Sequence, residues 1–334
     1  MTRMMADILR QPAELRACLA RLRTSGALRE AARLVAGASD LTVVGIGASY
    51  HASLAVASPL GAAARAADAS ELLHQESFRP GSVLLVLSRS GKSVEVLGVL
   101  EQARRHGARV VAVTNDPGSP LGAGADVVVP LGVARDHAVS VVTYTAVGLA
   151  AALATARPLG NLEKSIDALE EAIPGWRGQL EEWTPPEGAA YFLGRGAGFG
   201  TAQEARLLWE EAAKSPSTAL STGAFRHGPQ EIVRPGLQVG LVIDGERRRQ
   251  EDLHLARDLG SLGAELLLVG RGLDEGRGVF RLPEVDPAWQ FLFEVVPFQL
   301  AAERAARVRG VDCDAFRLCS YVVEFEGGLL PAAL

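Results

Sequence analysis

The sequence predicts an α/β protein composed of two tandem doubly wound domains, each of them a parallel sheet flanked by helices. The first observation is an alternation of short apolar runs, typical of buried strands, with longer segments of helical periodicity. The second is a repeat, because the strand and glycine turn at Val43–Gly47 have a counterpart at Ala190–Gly196 in the second half. Strands that alternate with helices pair in parallel, since each helix returns the chain across one face of the sheet.

In the first half, residues 1–38 have the apolar spacing of helices, and the strand pattern begins after them. The predicted strands are Leu41–Val44, a short one near Ala64, Val83–Leu87, Arg109–Val113 and Asp126–Pro130. Val83–Leu87 contains only apolar residues, which indicates a central strand buried on both faces. The apolar run at 138–156 is interrupted by hydroxyl residues and a glycine, so we interpret it as a buried helix and not as a membrane span.

The second half repeats this order of elements. Gly240–Ile243 corresponds to the central strand, and Leu255–Val269 corresponds to the helix and strand that follow it. An acidic helical stretch that ends at Pro185-Pro186 separates the two halves. We therefore expect a helical segment at 1–38, a first domain at 39–160, a helical connector at 161–188, a second domain at 189–326 and a tail at 327–334.

The composition favours a cytoplasmic protein with a small-molecule ligand. The chain has 334 residues and a formal net charge of -5, with no basic arm or face, which argues against a nucleic-acid partner. Its three cysteines lack disulfide or metal-ligand spacing, as expected in a reducing compartment. The N-terminus has no signal-peptide pattern, and because the apolar run at 138–156 is interpreted as a buried helix, we expect no membrane partner. No group of histidines has the spacing of metal ligands, and we expect no metal.

Two nucleotide-binding motifs are excluded by single positions. A dinucleotide fingerprint requires a third glycine where Tyr50 and Phe199 stand. A P-loop requires a glycine where Val86 stands, although Gly91-Lys92-Ser93 resembles the end of that motif. We therefore expect no cofactor.

The loop after the central strand predicts a phosphate site. The hydroxyls of Ser88, Ser90 and Ser93, with unpaired backbone N–H groups at the start of the next helix, form a cradle for an anion. The alternative is that these serines only cap the helix. In the second half the corresponding segment begins with Asp244-Gly245-Glu246, whose negative charges repel a phosphate. We therefore expect the anion site in the first half only.

Several further motifs resemble those of one family. They are Met5–Pro12, Gly45–Tyr50, Asn115–Leu121, Glu210-Glu211 and Phe225–Pro229 within 204–232, and Gly310–Arg317. With the Ser-x-Ser-Gly-x-Ser loop, they make the chain resemble the sugar isomerase (SIS) domain family, as a double-SIS protein. The chain looks most like the isomerase half of glutamine–fructose-6-phosphate aminotransferase and like stand-alone amino-sugar-phosphate deaminases and deglycases. This resemblance covers nearly the whole chain and implies two tandem SIS-type domains.

The resemblance implies a role for each matched residue. The residues that match the sugar-phosphate site are Ser49, Ser88, Arg89, Ser90 and Ser93, with Arg89 standing where relatives often have glutamine. Glu211 matches the carboxylate that moves a proton between C1 and C2 of the sugar. His227 matches the histidine that opens the sugar ring, which is usually contributed across a dimer interface, and Glu204 matches another acidic residue of the site. We therefore expect a homodimer, as the apolar segment at Trp289–Ala302 also suggests.

These residue types suit the chemistry of aldose–ketose interconversion. The reaction removes a proton from a carbon next to a carbonyl or imine, and one carboxylate can both remove and return it. We expect enclosure of Glu211 among apolar neighbours of its helix to raise its carboxyl pKa toward neutrality, nearer the basicity required. Ring opening requires a group that gives and takes a proton near neutral pH, which suits histidine. The alternatives are that Glu211 is a solvent-facing helical acid and that His227 only caps a turn.

The chain also departs from the aminotransferase pattern. Leu208 and Tyr321 stand where the aminotransferase carries lysines, and Val141-Val142 replace a Thr-Lys pair. We expect no glutaminase domain, and therefore a deaminase or deglycase, because the amine of such a substrate already supplies the imine. The alternatives are a plain phosphosugar isomerase and a non-catalytic sugar-phosphate sensor.

Overall fold

A computed structural model describes residues 1–75, 77–325 and 327–328 of the chain. By compactness the chain divides into two units. The first-sheet unit comprises Ala13–Pro158 and the described residues after Asp314, and the second-sheet unit comprises Met1–Pro12 and Leu159–Asp314. This division differs from the domain boundaries expected from the sequence, which stay predictions. Of the predicted tail, only residues 327–328 lie within the described residues.

The first sheet is entirely parallel, with the strand order β2-β1-β3-β4-β5. Its strands are β1 (Asp40–Gly45), β2 (Ala64–Asp68), β3 (Ser82–Leu87), β4 (Arg109–Thr114) and β5 (Val127–Pro130). Every residue of β3 is buried, as the apolar run predicts for a central strand. The helices of this half are α1 (Arg3–Thr24), α2 (Gly26–Ala36), α3 (Ala48–Ala57), α4 (Ala69–Leu72), α5 (Val94–His106), α6 (Pro120–Gly124) and α7 (Val142–Ala154), with a 3-10 helix at Ser58–Ala63.

The second sheet is also parallel, with the strand order β10-β9-β8-β6-β7. Its strands are β6 (Ala190–Gly194), β7 (Ser217–Ser221), β8 (Gln238–Val242), β9 (Glu265–Arg271) and β10 (Val279–Leu282). Its helices are α8 (Leu162–Glu181), α9 (Ala197–Glu211), α10 (Thr222–Phe225), α11 (Arg249–Ser261) and α12 (Val296–Arg309), with 3-10 helices at Pro229–Ile232 and Pro287–Leu292.

Both sheets have the same connectivity, because within each one the first strand pairs with the second and the third. The predicted α/β class with parallel sheets flanked by helices is confirmed. In such sheets the ligand crevice lies at the carboxyl ends of the strands, where the strand order reverses. In the first sheet this point lies between β1 and β3, and in the second sheet it lies between β6 and β8.

Two segments have a packing role that the sequence does not reveal. The predicted connector contains α8, which packs against α12 of the same unit and buries one face that includes Ile166, Leu169 and Trp176. The apolar segment at Trp289–Ala302 is itself buried within the second-sheet unit. It therefore offers no apolar surface for a partner chain and gives the homodimer prediction no support. Within the described ranges, no helix has both the length and the apolar character that crossing a bilayer requires.

A buried carboxyl group in the second-sheet unit makes stability depend on pH. Burial raises the pKa of Glu294, whose oxygens accept hydrogen bonds from Thr201 Oγ1 (2.6 Å) and Gln290 Nε2 (2.9 Å). The folded carboxyl keeps its proton at pH values where the unfolded one has lost it, so stability falls as the pH rises between the two pKa values. We expect Glu294→Gln to remove this part of the pH dependence in urea unfolding from pH 4.5 upward. The exposed Glu275→Gln is the control, and parallel profiles for wild type and Glu294→Gln would contradict the prediction.

Candidate functional site

The crevice of the first sheet brings two predicted phosphate-binding segments to one edge. Val44 of β1 is in register with Val86 of β3, so the turn after β1 and the loop after β3 leave the sheet side by side. Ser49, half-buried, lies in the first turn of α3. The turn requires glycine at Gly45, because a Cβ there would lie 2.4 Å from the backbone carbon of Ser49. The first sheet thus sets Ser49 beside the loop of residues 88–93, called the serine loop below.

The serine loop is folded by its own hydroxyls. Ser88 is buried, and its Oγ accepts a hydrogen bond from the Gly91 N–H (3.1 Å), while Ser90 Oγ accepts one from the Lys92 N–H (3.3 Å). Each of these hydroxyls keeps its own proton available for donation to an anion. The hydroxyl oxygens of these serines therefore fold the loop by accepting hydrogen bonds, while their hydroxyl protons are available for donation to a ligand.

Ser93 occupies the N-cap position of α5 and makes no side-chain capping hydrogen bond. Other serines at N-cap positions do make one: Ser119 Oγ accepts from the Gly122 N–H at the start of α6, and Ser25 does the same for α2. An N-cap serine that does not cap leaves its hydroxyl to another partner. This favours the anion interpretation of Ser93 over the alternative of a helix cap.

The start of α5 differs from expectation in one respect. The sequence predicts unpaired N–H groups there, but the Val94 N–H donates to the carbonyl oxygen of Val323 in the C-terminal segment (3.0 Å). The N–H groups of Gly91 and Lys92 are also bound, to the serine hydroxyls described above. The cradle for an anion is therefore provided by hydroxyls more than by backbone amides.

A cleft of about 250 Å³ opens beside the serine loop within the first-sheet unit. It is lined by Arg89, Ser90 and Lys92 of the loop and by Arg135, Tyr321 and Glu324. The Lys92 ammonium lies 3.3 Å from the Asp116 carboxylate. Of these residues, only Arg89 and Ser90 were expected at the site. In the sequence, Arg135 is a charged residue in a segment without helix or strand periodicity. Such a pattern does not indicate that the residue lies at the site.

The equivalent crevice of the second sheet is occupied by a carboxylate of the chain. Asp252, in the first turn of α11 and buried, accepts hydrogen bonds from Arg195 Nε (2.7 Å) and the Asp244 N–H (3.1 Å). Burial raises the pKa of Asp252, and the Arg195 guanidinium opposes this increase. An internal carboxylate thus lies where a helix start would otherwise favour a bound anion. This agrees with the expectation that the anion site belongs to the first half, which stays a prediction.

The predicted proton-transfer residues lie on α9 of the second-sheet unit. Glu204 and Glu211 are seven residues apart, two helical turns, and so share one face of the helix. Glu204 is buried and Glu211 is half-buried. The neighbouring Glu210 has structural partners, because its carboxylate accepts from Arg206 Nη1 (2.6 Å) and Ser217 Oγ (3.3 Å). Leu208, at a lysine position of the aminotransferase pattern, is buried.

His227 lies away from Glu211 within one chain. The contact of Glu210 with Ser217 shows that α9 ends where β7 begins, whereas His227 follows α10, which begins where β7 ends. The five residues of β7 span about 16 Å. The His227 side chain is exposed, and its backbone N–H donates to the Ala224 carbonyl (3.0 Å). Within one chain Glu211 therefore lies near the start of β7, and His227 lies beyond its end.

The buried cysteine thiols are not candidates for nucleophilic chemistry. Burial raises the pKa of the Cys18 and Cys313 thiols to about 11, so neither is a thiolate near neutral pH. In the part of the chain that the structure describes, no three His, Cys, Asp or Glu side chains cluster as metal ligands would.

Comparison with known proteins identifies a domain in the first half. Residues 34–155 match the family model of the SIS domain. Over 97% of its length the chain is 31% identical to the glutamine–fructose-6-phosphate aminotransferase (isomerizing) of Aeropyrum pernix, of which it covers 57%. The chain thus spans somewhat more than half the length of the curated relatives that it matches.

Solved structures share the fold. A glucosamine-6-phosphate deaminase from Thermotoga maritima aligns with a TM-score of 0.79 at 22% identity, covering 96% of this chain and 99% of that one. The C-terminal domain of glucosamine-fructose-6-phosphate aminotransferase from Francisella tularensis aligns with a TM-score of 0.81 at 17% identity, covering 93% and 97% of the two chains. The family-model match covers the first sheet but not the second, so a double-SIS architecture stays a prediction.

Proposed function

We propose that this chain acts on a sugar phosphate as an isomerase-type enzyme. Its residues 34–155 match the SIS domain, and its sequence is homologous to glutamine–fructose-6-phosphate aminotransferases. The observation that carries the proposal is the serine loop at the crevice between β1 and β3. A sugar phosphate bound there would have its charged end held by hydroxyls. Such an anchor, remote from the reacting carbons, supplies binding energy for orientation.

The reaction that we propose is deamination of an amino-sugar 6-phosphate, or removal of an amine conjugated to a sugar phosphate. The ring opens to the aldehyde, a carboxylate moves a proton from C2 to C1, and water then displaces ammonia from the resulting imine. Glu211 is the proposed carrier of that proton. The substitutions at Leu208 and Tyr321 support this choice, because a substrate that brings its own amine does not require an enzyme lysine to form an imine.

The proposed homodimer follows from the position of His227. Within one chain Glu211 and His227 lie toward opposite ends of β7, so ring opening by His227 at the same substrate would require the copy from a second subunit. The exposure of His227 supports this assignment, since a residue donated to a neighbour must reach the surface of its own chain.

Turnover distinguishes the proposed functions. We expect glucosamine 6-phosphate to yield fructose 6-phosphate and ammonia, whereas unphosphorylated glucosamine should not react. Interconversion of aldose and ketose phosphates without release of an amine would indicate a plain phosphosugar isomerase. Binding of phosphosugars without any turnover would indicate a sensor, and absence of both would refute the proposal.

Ser93→Ala tests the phosphate site without disturbing the fold. Because Ser93 makes no capping bond, its loss should leave the unligated stability unchanged, whereas loss of a working cap costs about 1 kcal/mol. We expect roughly tenfold weaker binding of fructose 6-phosphate, about 1.4 kcal/mol, from the loss of one hydroxyl donor. Thermal unfolding with and without the ligand measures both quantities, and Ser25→Ala, which removes a capping serine of α2, is the matched control. The reverse pattern, lost stability with full affinity, would assign Ser93 to the helix.

A further inference from the structure

The C-terminal segment makes a specific contact with the serine loop inside the first-sheet unit. The aromatic ring of Tyr321 lies between two guanidinium groups, with Arg89 Cζ 3.8 Å and Arg135 Cζ 3.7 Å from the ring centroid. Arg89 Nη2 also donates a hydrogen bond to the Tyr321 carbonyl oxygen (2.9 Å). The Tyr321 hydroxyl donates to the Asp136 carbonyl oxygen (2.9 Å). Tyr321 thus contacts both arginines, and the hydrogen bond of its hydroxyl to Asp136 holds its ring in place.

This arrangement fixes the position of two like charges. Guanidinium groups repel each other, and the negative faces of an aromatic ring between them offset that repulsion. The backbone of Arg89 is held as well, because its carbonyl oxygen accepts from the Asn115 N–H (3.1 Å) and Thr114 Oγ1 (3.2 Å). The arginine side chain has several rotatable bonds, so without these contacts its guanidinium group would occupy many positions. Both ends of Arg89 are instead restrained.

The restrained arginine lies within the serine loop, between Ser88 and Ser90. We propose that Tyr321 is a positioning residue that holds the Arg89 guanidinium beside the phosphate of the substrate. The inference rests on the proposed function and adds a residue to its phosphate site. Tyr321 acts through Arg89, which it contacts with both its ring and its carbonyl oxygen. A pre-positioned guanidinium binds phosphate more tightly because less side-chain freedom is lost on binding.

A double-mutant cycle measures whether Tyr321 acts through Arg89. The four proteins are wild type, Tyr321→Leu, Arg89→Gln and the double variant, and the probe is fructose 6-phosphate in isothermal titration calorimetry. We expect Tyr321→Leu to weaken the Kd about tenfold, which corresponds to about 1.4 kcal/mol. In the R89Q background the same substitution should have no further effect, because the group that it positions is already absent. Tyr321→Phe keeps the ring between the two arginines and should bind within about threefold of wild type, against the tenfold loss expected without the ring.

The outcomes separate this inference from the proposed function. If Tyr321→Leu weakens binding equally with and without Arg89, the residue only anchors the C-terminal segment, and the inference is wrong. Unchanged affinity in Tyr321→Leu would also overturn it, while leaving the proposed function intact. A wild-type protein that binds neither fructose 6-phosphate nor glucosamine 6-phosphate would overturn both. Equal thermal unfolding temperatures of the unligated variants verify that the comparison concerns binding and not folding.

Discussion

Replacing Glu211 with glutamine should abolish proton transfer and leave sugar-phosphate binding intact. Glutamine has the shape of glutamate but no basic oxygen, so the C2 proton has no acceptor. A positioned general base contributes a factor of about 100 to 10,000, and we expect a loss of roughly a thousandfold, about 4 kcal/mol in activation free energy. Exchange of the C2 proton with D₂O, followed by NMR with glucosamine 6-phosphate as the probe, measures the step directly.

Glu210 supplies the matched control for this experiment. It precedes Glu211 on the same helix, and its carboxylate is bound to Arg206 and Ser217. Glu210→Gln removes one charge at the same place in the sequence but breaks only a partly exposed ion pair, worth less than about 1 kcal/mol. We expect the Glu210 variant to exchange protons at nearly the wild-type rate. If the Glu211 variant did so as well, the assigned base would be wrong and another group would have to carry the proton.

The parts of the site that the sequence predicts are those encoded in short stretches. The apolar run before Ser88 specifies a buried central strand, and the loop that follows must then leave the carboxyl edge of the sheet. Local spacing on α9 likewise sets Glu204 and Glu211 on one face. These features depend on neighbours in sequence, which is why they can be predicted without a structure.

The features that escaped prediction depend on long-range pairing or on weak patterns. Tyr321 contacts Arg89 across 232 positions of sequence, and nothing near either residue signals the other. The edge strand β7 contains only small and polar residues apart from Leu220, and most of it is half-buried, so it has no strand periodicity. The ion pair of Arg195 and Asp252 joins a turn and a helix whose proximity only the sheet order determines.

Gly91→Ala should disrupt the serine loop more than any serine substitution does. Gly91 has a φ of 62°, which residues other than glycine rarely adopt, and a Cβ there would lie 2.0 Å from Ser119 Oγ and 2.7 Å from Ser119 Cβ. The strain costs about 1 kcal/mol and the overlap about 1 to 3 kcal/mol more. We expect a loss of about 2 to 4 kcal/mol in the free energy of unfolding. Phosphosugar binding should weaken as well, because the hydroxyls of the loop would be displaced.

The backbone strain and the steric overlap can be separated by two further variants. Gly107 has a φ of 69°, and a Cβ there would meet no other atom within 4 Å, so Gly107→Ala should show the strain alone, about 1 kcal/mol, and full ligand affinity. Ser119→Gly removes the atoms that a Cβ at position 91 would strike, and glycine at an N-cap costs only a few tenths of a kcal/mol. The double variant should therefore regain the stability that Gly91→Ala loses to the steric overlap, and keep only the loss caused by backbone strain. A double variant no more stable than Gly91→Ala would mean that the loop fails for backbone reasons alone. In that case the contact between Gly91 and Ser119 would not be what shapes the phosphate cradle.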